Sequence, residues 1–192
     1  MRTRNTPKIT LALDLDETLV HCSVEELPDA DHVFTVPFGP DVYTIWCRIR
    51  PHMAEFLERV SSKFELVLFT ASHPNYAVKA LEIIDPRNRI FRHRLYRTSC
   101  VYYQNNYIKD LTVLDRKLAH VALVDNSPHA YSFHPVNGVP IRTWYDDPFD
   151  EELLKVADFL DTIADVEDVR PHIDKFFKTR TRMFESSRFP AF

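Results

Sequence analysis

Continuous apolar runs and alternating ones divide this chain. Ile9–Leu13, Glu65–Phe69 and Val121–Val124 are aliphatic and β-branched with hardly a polar interruption, the pattern of buried strands. His32–Phe38 and Val42–Arg50 instead alternate apolar and polar around Gly39-Pro40-Asp41, which predicts a β-hairpin. Ile90–Lys109 alternates in the same way about Asn105-Asn106 and predicts a second hairpin, and Gly138–Trp144 predicts one more strand. Met53, Phe56, Leu57, Val60 and Phe64 recur at helical spacing behind Pro51, a residue well tolerated at a first helical position, so a helix is expected to open there. Further helices are expected from Pro74 to Ile84, stopping near Asp85-Pro86, and over Phe149–Ile163. Asp168–Phe192 reads as a tail of helix or coil that packs back in part and ends loosely. Strands alternating with helices imply an α/β fold, a mainly parallel Rossmann-like sheet with helices on both faces and short β-hairpin insertions.

The polar residues that follow the buried runs carry the chemistry. The first run exits into Asp14-Leu15-Asp16-Glu17-Thr18, the second into Thr70-Ala71-Ser72, the third into Asp125-Asn126-Ser127-Pro128. In a parallel sheet these ends share one edge, where open α/β sheets bind ligands. Residues i and i+2 of an extended chain point the same way, so Asp14 and Asp16 can address one small volume. Lys109, after the second hairpin, adds an ammonium. Two carboxylates, a hydroxyl, an ammonium and an acid–amide pair suit phosphoryl transfer through a covalent aspartyl phosphate. A phosphate monoester repels an anionic nucleophile, so a lysine and a hard divalent cation are needed to neutralise it.

Composition narrows the picture. At 192 residues and 45% hydrophobic content the chain can bury a full core in one domain. A net charge of −4 and scattered basic residues give no electrostatic footprint for nucleic acid. Cys22, Cys47 and Cys100 have no metal spacing and read as free thiols in a reducing, intracellular compartment. No signal peptide and no membrane-spanning stretch is apparent. With only two glycines, the chain has no glycine-rich nucleotide loop, and a kinase reading has no support.

The segments LDLDETLVHCS (13–23), FTAS (69–72), YRTSC (96–100), YIKDL (107–111) and DNSP (125–128) resemble the haloacid-dehalogenase superfamily, and within it the C-terminal-domain (CTD) small phosphatases of the FCP/SCP type. The ending Asp168-Val169-Arg170-Pro171-His172-Ile173, with His21-Cys22-Ser23, is most similar to the CTD small phosphatase-like protein 2 branch. The resemblance implies a sheet of that superfamily without a large cap domain. Residues 1–8 would be an N-terminal extension, 9–178 the phosphatase domain and 179–192 a tail. It implies a Mg²⁺-dependent, monomeric protein serine/threonine phosphatase of the nucleus or cytoplasm, acting on phosphoproteins, the RNA polymerase II tail among the candidates. Asp14 would be the nucleophile and Asp16 the general acid and base. Thr70 would donate to a phosphoryl oxygen, Lys109 would pair with phosphate and nucleophile, and Asp125 would orient Lys109 or a metal-bound water. Mg²⁺ would be held by Asp14, the Asp16 carbonyl and Asn126. Arg97 would contact substrate phosphate and Tyr76 would line the entrance. Val24 and His73 stand where relatives carry a phenylalanine and a leucine in a proline-binding pocket, which weakens the case for polymerase-tail specificity.

Each motif has a plainer reading. DxDxT alone is as easily an acidic turn, DNSP a turn, Thr70 or Ser72 a cap for the following helix, and Lys109 a surface lysine. Arg92 and Arg94 read as a solvated face, Cys22 as a structural thiol, His21 as packing, and Trp46 and Trp144 as core. The ordered placement at three strand ends favours the enzyme. The alternatives are a catalytically silent interaction module on the same fold, which would have no need of the full polar set, and a small-metabolite phosphatase, disfavoured by the lack of a lid.

Overall fold

The computed structural model describes residues 7–179. In chain order its elements are β1 (Thr10–Leu13), β2 (Val20–Ser23), β3 (His32–Phe38), β4 (Asp41–Ile49), α1 (Met53–Ser61), β5 (Glu65–Phe69), α2 (Pro74–Ile84), β6 (His93–Leu95), β7 (Val101–Tyr103), β8 (Asn106–Ile108), β9 (Val121–Asp125), β10 (Gly138–Pro140), α3 (Glu152–Ile163) and α4 (Arg170–Phe177). Five strands form one parallel sheet in the order β10-β9-β1-β5-β6. The most apolar run supplies its central strand, and all four residues of β1 are buried. Register places Leu11 beside Leu66 and Ala122, and Leu13 beside Leu68 and Val124. These residues pack with the buried positions of all four α-helices. The opposite face, Ala12, Phe69 and Leu123, is covered by 3₁₀ turns at Leu111–Leu114 and Leu118–His120 and by Tyr131. The Tyr131 ring lies on Gly138, where a Cβ would come within 2.4 Å of it. Helical segments thus cover both faces, unequally.

The first hairpin forms as the alternation implies, with Gly39 at φ +62 in its turn and β2 joined to make a three-stranded antiparallel sheet. Five boundaries differ from expectation. Pro51 does not open α1; the helix begins at Met53 after His52 adopts a left-handed conformation (φ 63). Ile90–Lys109 is not one hairpin: His93–Leu95 joins the main sheet beside β5, and the hairpin is confined to β7 and β8. Its turn residues are Gln104 and Asn105, both at positive φ, rather than Asn105-Asn106. The last strand stops at Pro140, and α3 starts at Glu152 instead of Phe149. The expected tail forms α4; residues 1–6 of the N-terminal extension and the tail from residue 180 lie outside the described residues. Among the described residues no helix is long and apolar enough to cross a membrane.

Candidate active site

All three apolar strands deliver their following residues to one edge. The Asp14 amide donates to the Val124 carbonyl at 3.0 Å, which prolongs the β1–β9 ladder by one residue. The chain then turns sharply. Glu17 sits at φ 54, and the Leu19 and Val20 amides both return to the Leu15 carbonyl. Leu15 and Leu19 are fully buried and anchor this turn, so the carboxylates on either side of Leu15 project from a fixed backbone. Asp14, Asp16, Thr70, Arg97, Lys109, Asp125 and Asn126 line a single open hollow.

Lys109 is buried at its centre. Its ammonium donates to Asp14 Oδ1 at 2.6 Å and to Asp125 Oδ2 at 2.5 Å, while its backbone amide is pinned to the Ala130 carbonyl. Burial opposes the charge on Lys109, but Asp125 and Asp14 outweigh it and hold the ammonium above its usual range. Asp125 is raised by burial and then by the charge of Asp14, against the pull of Lys109. Its other oxygen accepts from the Ser127 amide at 2.8 Å. The expected role of Asp125 in orienting Lys109 has this direct contact behind it.

Asp16 has a different shell. Tyr76 Oη donates to its Oδ1 at 2.5 Å, and Ser72 Oγ and Thr70 Oγ1 donate to its Oδ2 at 2.6 and 3.3 Å. Burial, and then the neighbouring Asp14 charge, raise the Asp16 pKa above the ordinary carboxylate value despite these donors. A carboxyl shifted toward its neutral form beside an Asp14 gripped by an ammonium fits the division of labour that an acid and a nucleophile require. Tyr76 is itself raised well above a normal phenol by burial and by Asp16, so it serves as a donor.

The donor set also suits a hard cation. Asp14 Oδ2 has only a long bond from Thr18, at 3.3 Å. Asn126 is oriented by its Nδ2 donating to Thr143 Oγ1 at 3.1 Å, which leaves the amide oxygen as a donor to a metal. Among the described residues no three His, Cys, Asp or Glu side chains gather to hold a metal. A carboxylate, a carbonyl and an amide oxygen with water completing the shell fit Mg²⁺ better than a softer ion.

Arg97 is exposed at the rim. Its Nε donates to the Ala71 carbonyl at 2.6 Å and its guanidinium lies 5.0 Å from the centre of the Tyr107 ring. Tyr76 does not line the entrance; it lies behind Asp16. His73 and Val24 do not line the hollow either. His73 caps α2 by accepting from the Asn75 amide, the role expected of Thr70 or Ser72, and packs edge-on against Phe38. Val24 is 61% exposed just beyond β2.

Other expectations resolve by contact. His21 packs against Tyr145 and bonds Glu17, Cys22 is partly buried, and a contact with Cys47, and then burial, raise its thiol. Arg94 is tied to Asp85 and Arg92 to Glu65. Arg50 lies in no motif that marks it as functional. It is 1% exposed, forms a two-point ion pair with Asp150, and donates to the Thr18 carbonyl at 3.1 Å, bracing the turn that carries both aspartates. Ser72 could have been inferred: two residues beyond Thr70, it faces the same volume.

Similarity to known proteins agrees with this arrangement. The family described as NLI interacting factor-like phosphatase matches residues 9–170. The chain is 51% identical over 173 residues to "CTD small phosphatase-like protein 2" of Dictyostelium discoideum, covering 90% of this chain and 30% of that protein. It is 44% identical over 162 residues to the Homo sapiens "CTD small phosphatase-like protein", covering 84% of this chain and 58% of that one. The chain therefore spans about a third to three-fifths of these curated relatives. The solved structure described as "The Structure of Fcp1, an essential RNA polymerase II CTD phosphatase" aligns with a TM-score of 0.63 at 19% identity, over 82% of this chain and 51% of that one, a likeness of fold.

Proposed function

The chain belongs to the NLI interacting factor-like phosphatase family, and we propose that it is a Mg²⁺-dependent phosphatase of phosphoserine and phosphothreonine in polypeptides. The observation that carries this reading is the pair of unlike carboxylates on one hollow, Asp14 bound to the Lys109 ammonium and Asp16 shifted toward its neutral form. In the proposed reaction an Asp14 carboxylate oxygen attacks phosphorus as the ester P–O bond breaks. Asp16 gives its proton to the departing serine or threonine oxygen, leaving the phosphoryl group on Asp14. Water then attacks that phosphorus, Asp16 takes the proton, and inorganic phosphate departs with Asp14 restored. Lys109 compensates negative charge on the phosphoryl oxygens, Thr70 and Arg97 donate to them, and Asp125 keeps Lys109 in place. Asp14, the Asp16 carbonyl and Asn126 would hold Mg²⁺, which supplies further charge neutralisation at the phosphoryl group.

The open hollow supports a polypeptide substrate over a metabolite, since among the described residues no lid closes over it. Relatives are named for the polymerase CTD; for this chain that tail is one sequence to test, because His73 is committed to its helix and Val24 stands in solvent. A nuclear location follows from that substrate and a cytoplasmic one from others. The test is phosphate release from para-nitrophenyl phosphate and from phosphopeptides, with and without Mg²⁺, for the parent and Asp14→Asn. Turnover that needs Mg²⁺ and falls at least about 10⁴-fold in the variant is expected. A folded parent inactive on every substrate would favour the interaction module.

A further inference from the structure

The β7–β8 hairpin is a partition between two hollows. Its left-handed Gln104-Asn105 turn gives the tight, twisted ribbon of a two-residue hairpin, and alternate side chains face opposite ways. Tyr102 and Tyr107, paired across the strands, share one face, and Tyr107 lies under Arg97 and lines the active-site hollow. Tyr103 and Ile108 take the other face. There, with Phe133, they line a second, smaller hollow. The two hollows meet at Asn106 and His129, which line both.

The second hollow has apolar walls and a polar rim. Of its lining residues Ile108 is buried, whereas Tyr103 and Phe133 stand 53% and 45% exposed. Gln104, Ser132 and the shared Asn106 and His129 supply the rim. Aromatic rings left half-exposed around a concavity mark binding surface more often than incidental exposure. What can reach this hollow is set by its neighbour. A polypeptide whose phosphoryl group lies at Asp14 must leave the active site past its rim, and along Asn106 and His129 that rim opens into a second concavity. A β-ribbon with its side chains is roughly 10 Å thick, a span that three extended residues cover at about 3.3 Å each.

We propose that the Tyr103–Ile108–Phe133 hollow is a specificity subsite for an aromatic or large aliphatic side chain of the phosphorylated polypeptide, reached across the Asn106–His129 saddle. This inference rests on the protein-phosphatase reading and adds the class of flanking residue that the site selects. The polar rim leaves room for the peptide backbone to bond while the side chain fills the apolar floor, the division found where extended peptides are read by side-chain pockets.

The test is a set of phosphoserine peptides in which each of the four positions on either side carries alanine, phenylalanine or leucine in turn. They are assayed with the parent and with a Tyr103→Ala/Phe133→Ala double variant, para-nitrophenyl phosphate serving as the control. At one position phenylalanine or leucine should raise the parent's kcat/KM about tenfold over alanine, a preference the double variant loses. Turnover of para-nitrophenyl phosphate, which does not reach the second hollow, should be unchanged. The parent's preference needs no variant, so indifference at all eight positions overturns the subsite by itself, as does a preference that the variant retains. Parent turnover of para-nitrophenyl phosphate with none of any phosphopeptide overturns the protein-phosphatase reading and the subsite with it.

Discussion

Where β5 begins, Glu65 is buried beneath two guanidinium groups; where β5 and its neighbours end, Asp14 and Asp125 share one buried ammonium and Asp16 stands beside Asp14. Glu65 receives Arg116 through two bonds of 3.1 Å, Thr10 at 2.8 Å and Arg92 at 3.4 Å. Its charge is fully compensated, as a buried carboxylate in a structural role must be. At the opposite edge carboxylates outnumber cations; burial, and then the charge of Asp14, raise Asp16 and Asp125, and oxygen donors turn toward an open hollow. The same sheet thus closes one end with balanced charge and keeps the other under electrostatic tension. Perturbed titrations of that kind gather at functional sites.

The contrast can be broken from either side. After Asp14→Asn, the largest expected effect on rate is that of Asp16→Asn, which removes the transferable proton and should lower kcat by about 10²–10⁴-fold, read in steady-state kinetics. Its effect on stability should have the opposite sign. The native Asp16 keeps a proton that the unfolded chain releases near the usual carboxylate value, so the parent loses stability as pH rises from there through the raised pKa. The variant lacks that loss, and its thermal midpoint should fall less between acid and neutral pH. The parent's kcat should decline over the same alkaline approach as Asp16 ionises.

Lys109→Met comes next, with a fall in kcat of about 10²–10³-fold. Without the ammonium, Asp14 and Asp125 repel one another in a buried site, so the variant should be destabilised more at pH 8 than at pH 5, which thermal melts at the two values will read. The smallest effect on rate belongs to the closed edge. Glu65→Gln leaves Arg116 poorly paired and should cost about 2 kcal/mol of stability, below the range for fully buried pairs because both arginines reach solvent. Its kcat should be unchanged. A Glu65 variant that lost rate but not stability would erase the distinction between the two edges.

Much of the reactive edge was legible because it depends on strand ends. A buried run followed by Asp14, Thr70 or Asp125 needs only a parallel sheet to bring those residues together, and the apolar pattern predicted that sheet. What escaped depends on contacts across large sequence separations or on angles that periodicity does not encode. Arg50 and Asp150 are a hundred residues apart and neither lies in a recognisable pattern. Tyr76 reaches Asp16 only because α2 leaves the sheet edge at a particular angle. The alternation of Ile90–Lys109 concealed a break, because a short 3₁₀ turn at Arg97–Ser99 is indistinguishable from strand by hydrophobicity alone. Val24 and His73 were assigned by likeness to relatives, and the hollow does not include them.

The central claim is that Asp14 carries the phosphoryl group. The most direct measurement is an acid-quenched single turnover with a ³²P-labelled phosphopeptide, followed by borohydride reduction of the protein and peptide mapping. A label that is stable to acid, labile to hydroxylamine and absent from Asp14→Asn, with reduction converting residue 14 to homoserine, is the predicted result. Phosphate release in the parent with no such label, or a label on any other residue, would contradict the account.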